Sequence, residues 1–232
     1  MIRPLALLAA LTLSACMPTV QTTSGADYLA RGPIADPAIR AAATVEPDLR
    51  LPGRIGIARV VNGEMTVAPP AEAAELADFV LRHGAMGEWV PLSPFVAAQV
   101  GGGREVPLAD RLRRTAARQH LDYLLVYELG ARAGASGTTP FALADVTILG
   151  GLLLPTRTTR ATGVGSAIFL DVRNGYPYAS TGTSVDLGGL ARSYGTRRAE
   201  ARLRERATAR VAEKLLPEVD AMLAQLVAAA AR

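Results

Sequence analysis

The sequence predicts an α/β fold: a small mixed sheet packed by helices, with a late β-hairpin and a long C-terminal amphipathic helix. Three observations carry this. Strand-type runs and helix-type stripes follow one another in the order strand, helix, strand, helix, strand, hairpin, helix, the pattern of a sheet with helices layered on it. Asn174-Gly175, a hairpin-turn dipeptide, stands between two strand-like runs. Ala199, Leu203, Ala207, Val211, Leu215, Val219, Met222 and Leu226 recur every three to four residues, a stripe that demands a long helix.

Taken in order, Ile55-Gly56-Ile57-Ala58-Arg59-Val60-Val61 is a short β-type run, and Asn62-Gly63 after it is a turn of the hairpin sort. Residues 71 to 82 place Ala73, Leu76, Ala77 and Val80 on one helical stripe, with acidic residues early, as the helix dipole prefers. Trp89-Val90-Pro91-Leu92 reads as a brief strand or an extended link, and Gly101-Gly102-Gly103 breaks the chain. The next helix, Pro107 to about His120, sets Leu108, Leu112 and Ala116 on one side and Arg111, Arg113, Arg114 and Arg118 on the others.

Asp122 to Leu129 follows, apolar on both alternating faces at its centre, which suits a central strand covered on two sides. Phe141 to Leu154 is apolar but interrupted by Asp145 and Gly150-Gly151; it reads as a strand, a helix or two pieces, and is too short for a transmembrane helix. Gly163 to Asp171 and Tyr176 to Val185 form the late hairpin. The final helix has Pro217 as a possible kink point. Its other faces carry Arg197, Arg198, Arg202, Arg204, Arg206 and Arg210, with Glu200 and Glu205 among them. No unit of twenty to fifty residues repeats, which argues against a solenoid.

The beginning of the chain is of another kind. Met1-Ile2-Arg3 carries charge and Leu5 to Leu13 is an apolar run too brief to span a membrane, so residues 1–15 read as a secretory leader. Residues 16–52 are punctuated by Pro18, Pro33, Pro37, Pro47 and Pro52, a tether that either lifts the domain or packs back on it. Within it, Asp36-Pro37 caps a short helix over 37–43. Residues 53–232 then form a single α/β domain. Half the residues are hydrophobic and a fifth charged, which is ordinary for a globular domain. The net charge of +4 is carried almost wholly by arginine, Lys214 being the only lysine. Such an excess is compatible with anionic lipid or an acidic partner, and export makes nucleic acid the least fitting of the three.

Leu13-Ser14-Ala15-Cys16 resembles the lipobox of bacterial lipoproteins. The resemblance implies cleavage before Cys16 and acylation of its thiol and new amino terminus. The lone cysteine stands where that chemistry needs it, and no thiol is left for a disulfide. Met17, in place of Asp, implies by the same resemblance the outer membrane, with the domain in the periplasm.

Three further stretches resemble the curli-secretion lipoprotein family, CsgG-like proteins whose relatives include the N-terminal domain of the translocation protein TolB. Arg54-Ile55-Gly56-Ile57-Ala58 looks like the opening strand of that fold. His120-Leu121-Asp122-Tyr123-Leu124-Leu125 looks like its helix-to-strand junction. Ile168 to Gly175 looks like its late hairpin, where an apolar strand ends in Asp/Asn-Val-x-x-Gly. The uncharacterised rhombotarget lipoproteins share the lipobox and a similar hairpin. The resemblance implies an envelope protein with an envelope protein partner, and it admits a homo-oligomer. A secretion channel of the curli type would need strands alternating apolar and polar residues over about nine to eleven positions. Thr181-Gly182-Thr183-Ser184-Val185 is too polar to face lipid, and Phe141 to Leu154 does not alternate strictly.

Catalytic and cofactor motifs are absent from the sequence. His83 and His120 lie at helix ends, and no His/Cys/Glu spacing matches a metal site. Gly163-Val164-Gly165 lacks the third glycine of a dinucleotide fingerprint, and no Lys-Ser/Thr follows Gly101-Gly102-Gly103 to make a phosphate loop. The expectation is a non-enzymatic assembly, scaffold or regulatory factor without a cofactor. Its site residues are Cys16 for lipid and Arg198, Arg202 and Arg206 for an anionic or partner contact.

Overall fold

The structure is a computed structural model that describes residues 19–20, 24–100, 105–139, 157–192 and 195–231. Among them seven strands make one sheet: β1 (Thr19–Val20), β2 (Gly53–Val61), β3 (Glu64–Thr66), β4 (Gly87–Pro91), β5 (Tyr123–Thr138), β6 (Arg157–Asp171) and β7 (Pro177–Ala191). Among the described residues six α-helices accompany them: α1 (Gly25–Leu29), α2 (Pro37–Ala43), α3 (Pro70–Arg82), α4 (Pro94–Val100), α5 (Leu108–Arg118) and α6 (Thr196–Ala230). The strand order is β1-β7-β6-β5-β2-β3, with β4 lying along the first half of β2 on the side where β3 takes the second half. β2 pairs in parallel with β4 and β5; the other pairs are antiparallel. This is the mixed α/β architecture expected.

Side chains alternate between two cores. On one face Ile55, Ile57, Tyr123, Leu125, Tyr127 and Phe169 pack beneath α6, which contributes Val211, Leu215, Val219, Met222 and Leu226. On the other, Ala58, Val60, Leu124 and Leu170 meet Leu112 and Ala116 of α5. The two-sided apolar reading of the central strand therefore holds. Close approach of α6 depends on two glycines: a Cβ at Gly163 or at Gly165 would lie 2.5 Å from a Val211 methyl. Gly163 and Gly165 thus form a helix-packing surface. At the β2–β3 turn Asn62 and Gly63 take φ of 51° and 80°, the pair of positive values a two-residue hairpin turn requires.

Three strands are longer than expected. β5 continues from Leu129 to Thr138, β6 begins at Arg157 and not at Gly163, and β7 runs to Ala191 and not to Val185. These extensions are rich in Gly, Ala, Thr and Arg and lack the apolar alternation that marks a strand in sequence. They hold because they pair with one another, and because Leu203 and Ala207 of α6 bury Ala131 and Ala161 beside them. The stripe of α6 is buried from Leu203 to Leu226, with Ala199 half-exposed at its start, and the helix runs on through an exposed Pro217 without ending there.

Of the two readings of the proline-punctuated segment, the described residues show packing. Leu49 and Leu51 pack against the core. Tyr178 Oη accepts from Asp48 N at 3.1 Å, and Tyr123 Oη accepts from Arg50 N at 2.6 Å. Glu46 accepts from the backbone N–H groups of Gly25 (3.1 Å) and Ala26 (2.9 Å), fastening the start of α1 to the strand-bound segment. Asp36 caps α2 as expected, accepting from Ala38 N at 2.8 Å. The leader, Cys16, Gly101-Gly102-Gly103 and Phe141 to Leu154 lie outside the described residues.

Candidate functional site

Arg198, Arg202 and Arg206 stand four residues apart on one side of α6, all exposed. None forms an ion pair among the described residues; Arg202 Nε reaches only the Arg198 carbonyl at 3.4 Å. The row continues to Arg210, which pairs with Glu213 at 2.6 Å, and to Lys214, whose Nζ donates to Ser184 O of β7 at 3.2 Å. The structure thus adds Arg210 and Lys214 to the three residues singled out in the sequence. The four-residue spacing was there to be read. That the row ends on β7 was not, since it depends on how α6 crosses the sheet.

Of the arginines of α5, Arg113 serves the fold. Arg113 donates to Val172 O at 3.2 Å and to Arg173 O at 3.0 Å, tying α5 to the hairpin turn. Arg54 of β2 holds the end of α5 through Gln119 O at 2.9 Å. His120 follows α5 at φ 54°, a left-handed position more often given to glycine. His83 closes α3, but its partner is a side chain: Nε2 lies 2.7 Å from Asp220 Oδ1 of α6, with Arg82 Nε at 3.2 Å from the same oxygen. Burial alone would raise the Asp220 carboxyl, and the hydrogen bonds from His83 and Arg82 outweigh it, so it sits below the usual range.

Two polar networks are buried. Arg59 grips Glu72 through Nε–Oε1 (2.7 Å) and Nη2–Oε2 (2.9 Å), its Nη1 donates to Thr66 Oγ1, and the Tyr127 hydroxyl donates to Glu72 Oε1 at 2.7 Å. Burial, then the bond to Glu72, pushes Tyr127 far above its ordinary value, so its phenol stays a donor. Both oxygens of Glu72 are engaged, and the network pins the first turn of α3 to β2. Beside it lies an apolar groove of about 580 Å³ lined by Val67, Leu76, Val80, Leu81, Trp89 and Tyr127. The second network centres on Asp171, whose Oδ1 accepts from Arg173 N (2.7 Å) and Asn174 N (3.2 Å) while Tyr178 Oη donates to Oδ2 (3.2 Å). This explains the Asp-Val-x-x-Gly run: Asp171 closes the turn on the backbone, and Gly175 supplies φ 78°.

Among the described residues no group of three or more His, Cys, Asp and Glu side chains could hold a metal ion, and no helix is long and apolar enough to cross a membrane.

No protein-family model and no curated protein matches the sequence. Several solved structures are similar to it in outline. The C-terminal domain of LpoB from Salmonella enterica shares 13% identity over 58% of this chain and 83% of its own, with a TM-score of 0.30. The lipoprotein GNA1162 from Neisseria meningitidis shares 16% over 60% and 85%, at 0.33. A PelC dodecamer from Paraburkholderia phytofirmans shares 14% over 68% and 90%, at 0.28. At such scores these likenesses say nothing further of this chain.

Proposed function

We propose that the chain is a lipid-anchored outer-membrane lipoprotein that presents its α/β domain to the periplasm. There it acts, without catalysis, as an assembly, scaffold or regulatory factor of the envelope. The observation that carries this reading is Leu13-Ser14-Ala15-Cys16, a lone cysteine at the end of a basic-then-apolar leader. Arg198, Arg202 and Arg206, exposed and without an ion pair among the described residues, support a surface role. The two engaged carboxylates, Glu72 and Asp171, act as ties between elements, which fits a domain built to be rigid. Purification of the Cys16-anchored form with its envelope partners tests the reading. A stoichiometric protein partner that is lost when the domain is unfolded supports it, and turnover of an envelope substrate by the isolated protein refutes it.

The second reading, a subunit of an oligomeric secretion channel of the curli type, draws on the length of β5, β6 and β7. Their ladders extend well beyond the layer covered by α5. Against it, the face of β6 turned from α6 carries Arg160, Thr162 and Ser166, which suits water better than lipid. A large ring in detergent with ion conductance in a bilayer would favour the channel, and a small, non-conducting species the scaffold.

A further inference from the structure

We infer that the side of α6 bearing Arg198, Arg202, Arg206, Arg210 and Lys214, together with the outer edge of β7, lies against an anionic lipid surface. The inference rests on the lipid-anchored reading and adds an orientation to it.

The row has a fixed place on the helix. Each cation comes one residue before a member of the stripe Ala199, Leu203, Ala207, Val211, Leu215, so the row keeps the same side of that stripe over about 24 Å of helix. The contact of Lys214 with Ser184 identifies that side as the one toward β7. At the other end, a Cβ at Gly189 would stand 3.5 Å from Leu203 Cδ2, so α6 follows β7 from Gly189 down to Ser184 with the cations on its flank.

The same edge is within reach of Cys16. β6 occupies one side of β7 throughout, and on the other side β1 pairs only with Ala179 and Ser180. Met17 and Pro18 alone separate Cys16 from Thr19, a reach of about 10 Å at full extension. Thr19 pairs with Ser180, and Ser184 lies about 14 Å further along β7. Acyl chains on Cys16 would therefore bring the bilayer to the start of this edge, and the cationic row runs on from there. Three of its arginines are unpaired among the described residues, and Asp186, the carboxylate on this stretch of β7, faces away from α6, where Thr162 donates to it at 2.7 Å. An acidic protein segment would satisfy the charges equally, but only a bilayer is held in place by the chain's own anchor.

Each cation near an anionic surface strengthens the association about fivefold. The test uses the full lipidated chain in vesicles. Acylation leaves Cys16 without a free thiol, so a nitroxide can be attached at a single introduced cysteine: Leu190→Cys on β7, or Val67→Cys on the far side of the sheet, both exposed in the wild type. Collision with nickel chelated to lipid headgroups reports proximity to the bilayer. The expected result is access at position 190 about tenfold above that at 67 in phosphatidylglycerol vesicles, lost in phosphatidylcholine vesicles and lost on reversing Arg198, Arg202 and Arg206 to Glu. Equal access at the two positions, indifference to lipid charge or to the reversal, or contact at 190 only once an envelope protein is added would overturn the inference. Mass spectrometry of the same samples separates the two claims. An acylated chain with unbiased labels sinks the orientation alone, whereas an unacylated chain sinks the anchor and the orientation together.

Discussion

Arg59 holds Glu72 with two hydrogen bonds of 2.7 and 2.9 Å where the side chains are only 11% and 9% exposed. The pair joins β2 to α3, and Tyr127 of β5 completes it. Removing one partner leaves the other charged, buried and uncompensated, so Glu72→Ala should cost about 3–5 kcal/mol in urea unfolding. Tyr127→Phe, which removes one bond to a carboxylate, should cost about 1.5–3 kcal/mol. The double change Arg59→Met with Glu72→Leu should cost less than Glu72→Ala alone, because no charge is then stranded. A double variant as unstable as the sum of two singles would refute the pairing.

Gly165→Ala should destabilise by about 1–3 kcal/mol, because its Cβ would lie 2.5 Å from Val211 Cγ1 and 3.2 Å from Leu215 Cδ2, both side-chain atoms of α6. Val211→Ala opens a cavity by itself yet clears the first contact. The pair should therefore lose less stability than the two single changes added, with a coupling of about 1 kcal/mol in a double-mutant cycle. Strict additivity would mean that α6 does not sit on Gly165 as described.

How far the sequence foretells this architecture depends on what each residue reports. The β2 run, the α6 stripe and both Asn-Gly turns are legible because burial imposes a period on the chain and the turns require particular backbone angles. The stripe over 71–82 marks the helix α3 but not its buried face: Ala73 and Ala77 are exposed, Leu76 and Val80 half-buried, and Glu72 and Phe79 are the residues that go under. The distal halves of β5, β6 and β7 are not, since Gly134, Ala135, Thr159 and Gly188 earn their place by pairing with distant strands and carry no period of their own. Site residues divide the same way. Arg198, Arg202 and Arg206 stand out by spacing. The Arg59–Glu72–Tyr127 and His83–Asp220 ties join residues far apart in sequence, and only the fold brings them together.

Acidification should probe the tie between α3 and α6. Asp220 is held below the ordinary carboxylate range by His83 and Arg82, so it takes up a proton less readily folded than unfolded. Its stabilising effect is complete above the unfolded value of about 3.9 and is lost as pH falls through the lower folded value. The gap in Tm between wild type and Asp220→Asn should therefore be widest near neutrality and close as pH drops below about 4. A gap that widens on acidification would contradict the assignment.

Alkaline titration should distinguish the buried phenols. Tyr127 and Tyr178 are both raised, chiefly by burial, so they remain neutral in the folded protein beyond the point where exposed tyrosines ionise. Their neutral form supports the fold fully below about pH 10, and that support drains away as pH climbs above it, because the unfolded chain ionises first. Absorbance at the phenolate band should show Tyr127 and Tyr178 ionising only as the fold is lost. Ionisation of every tyrosine in one step, ahead of unfolding, would be inconsistent with these two networks.

The proposed lipid on Cys16 would fix location, partner surface and orientation alike, and metabolic labelling with palmitate tests it most directly. The wild-type chain should incorporate label and begin at Cys16, while Cys16→Ser should take up none and accumulate with residues 1–15 attached. An unlabelled wild-type protein that still begins at Met1 would contradict the account.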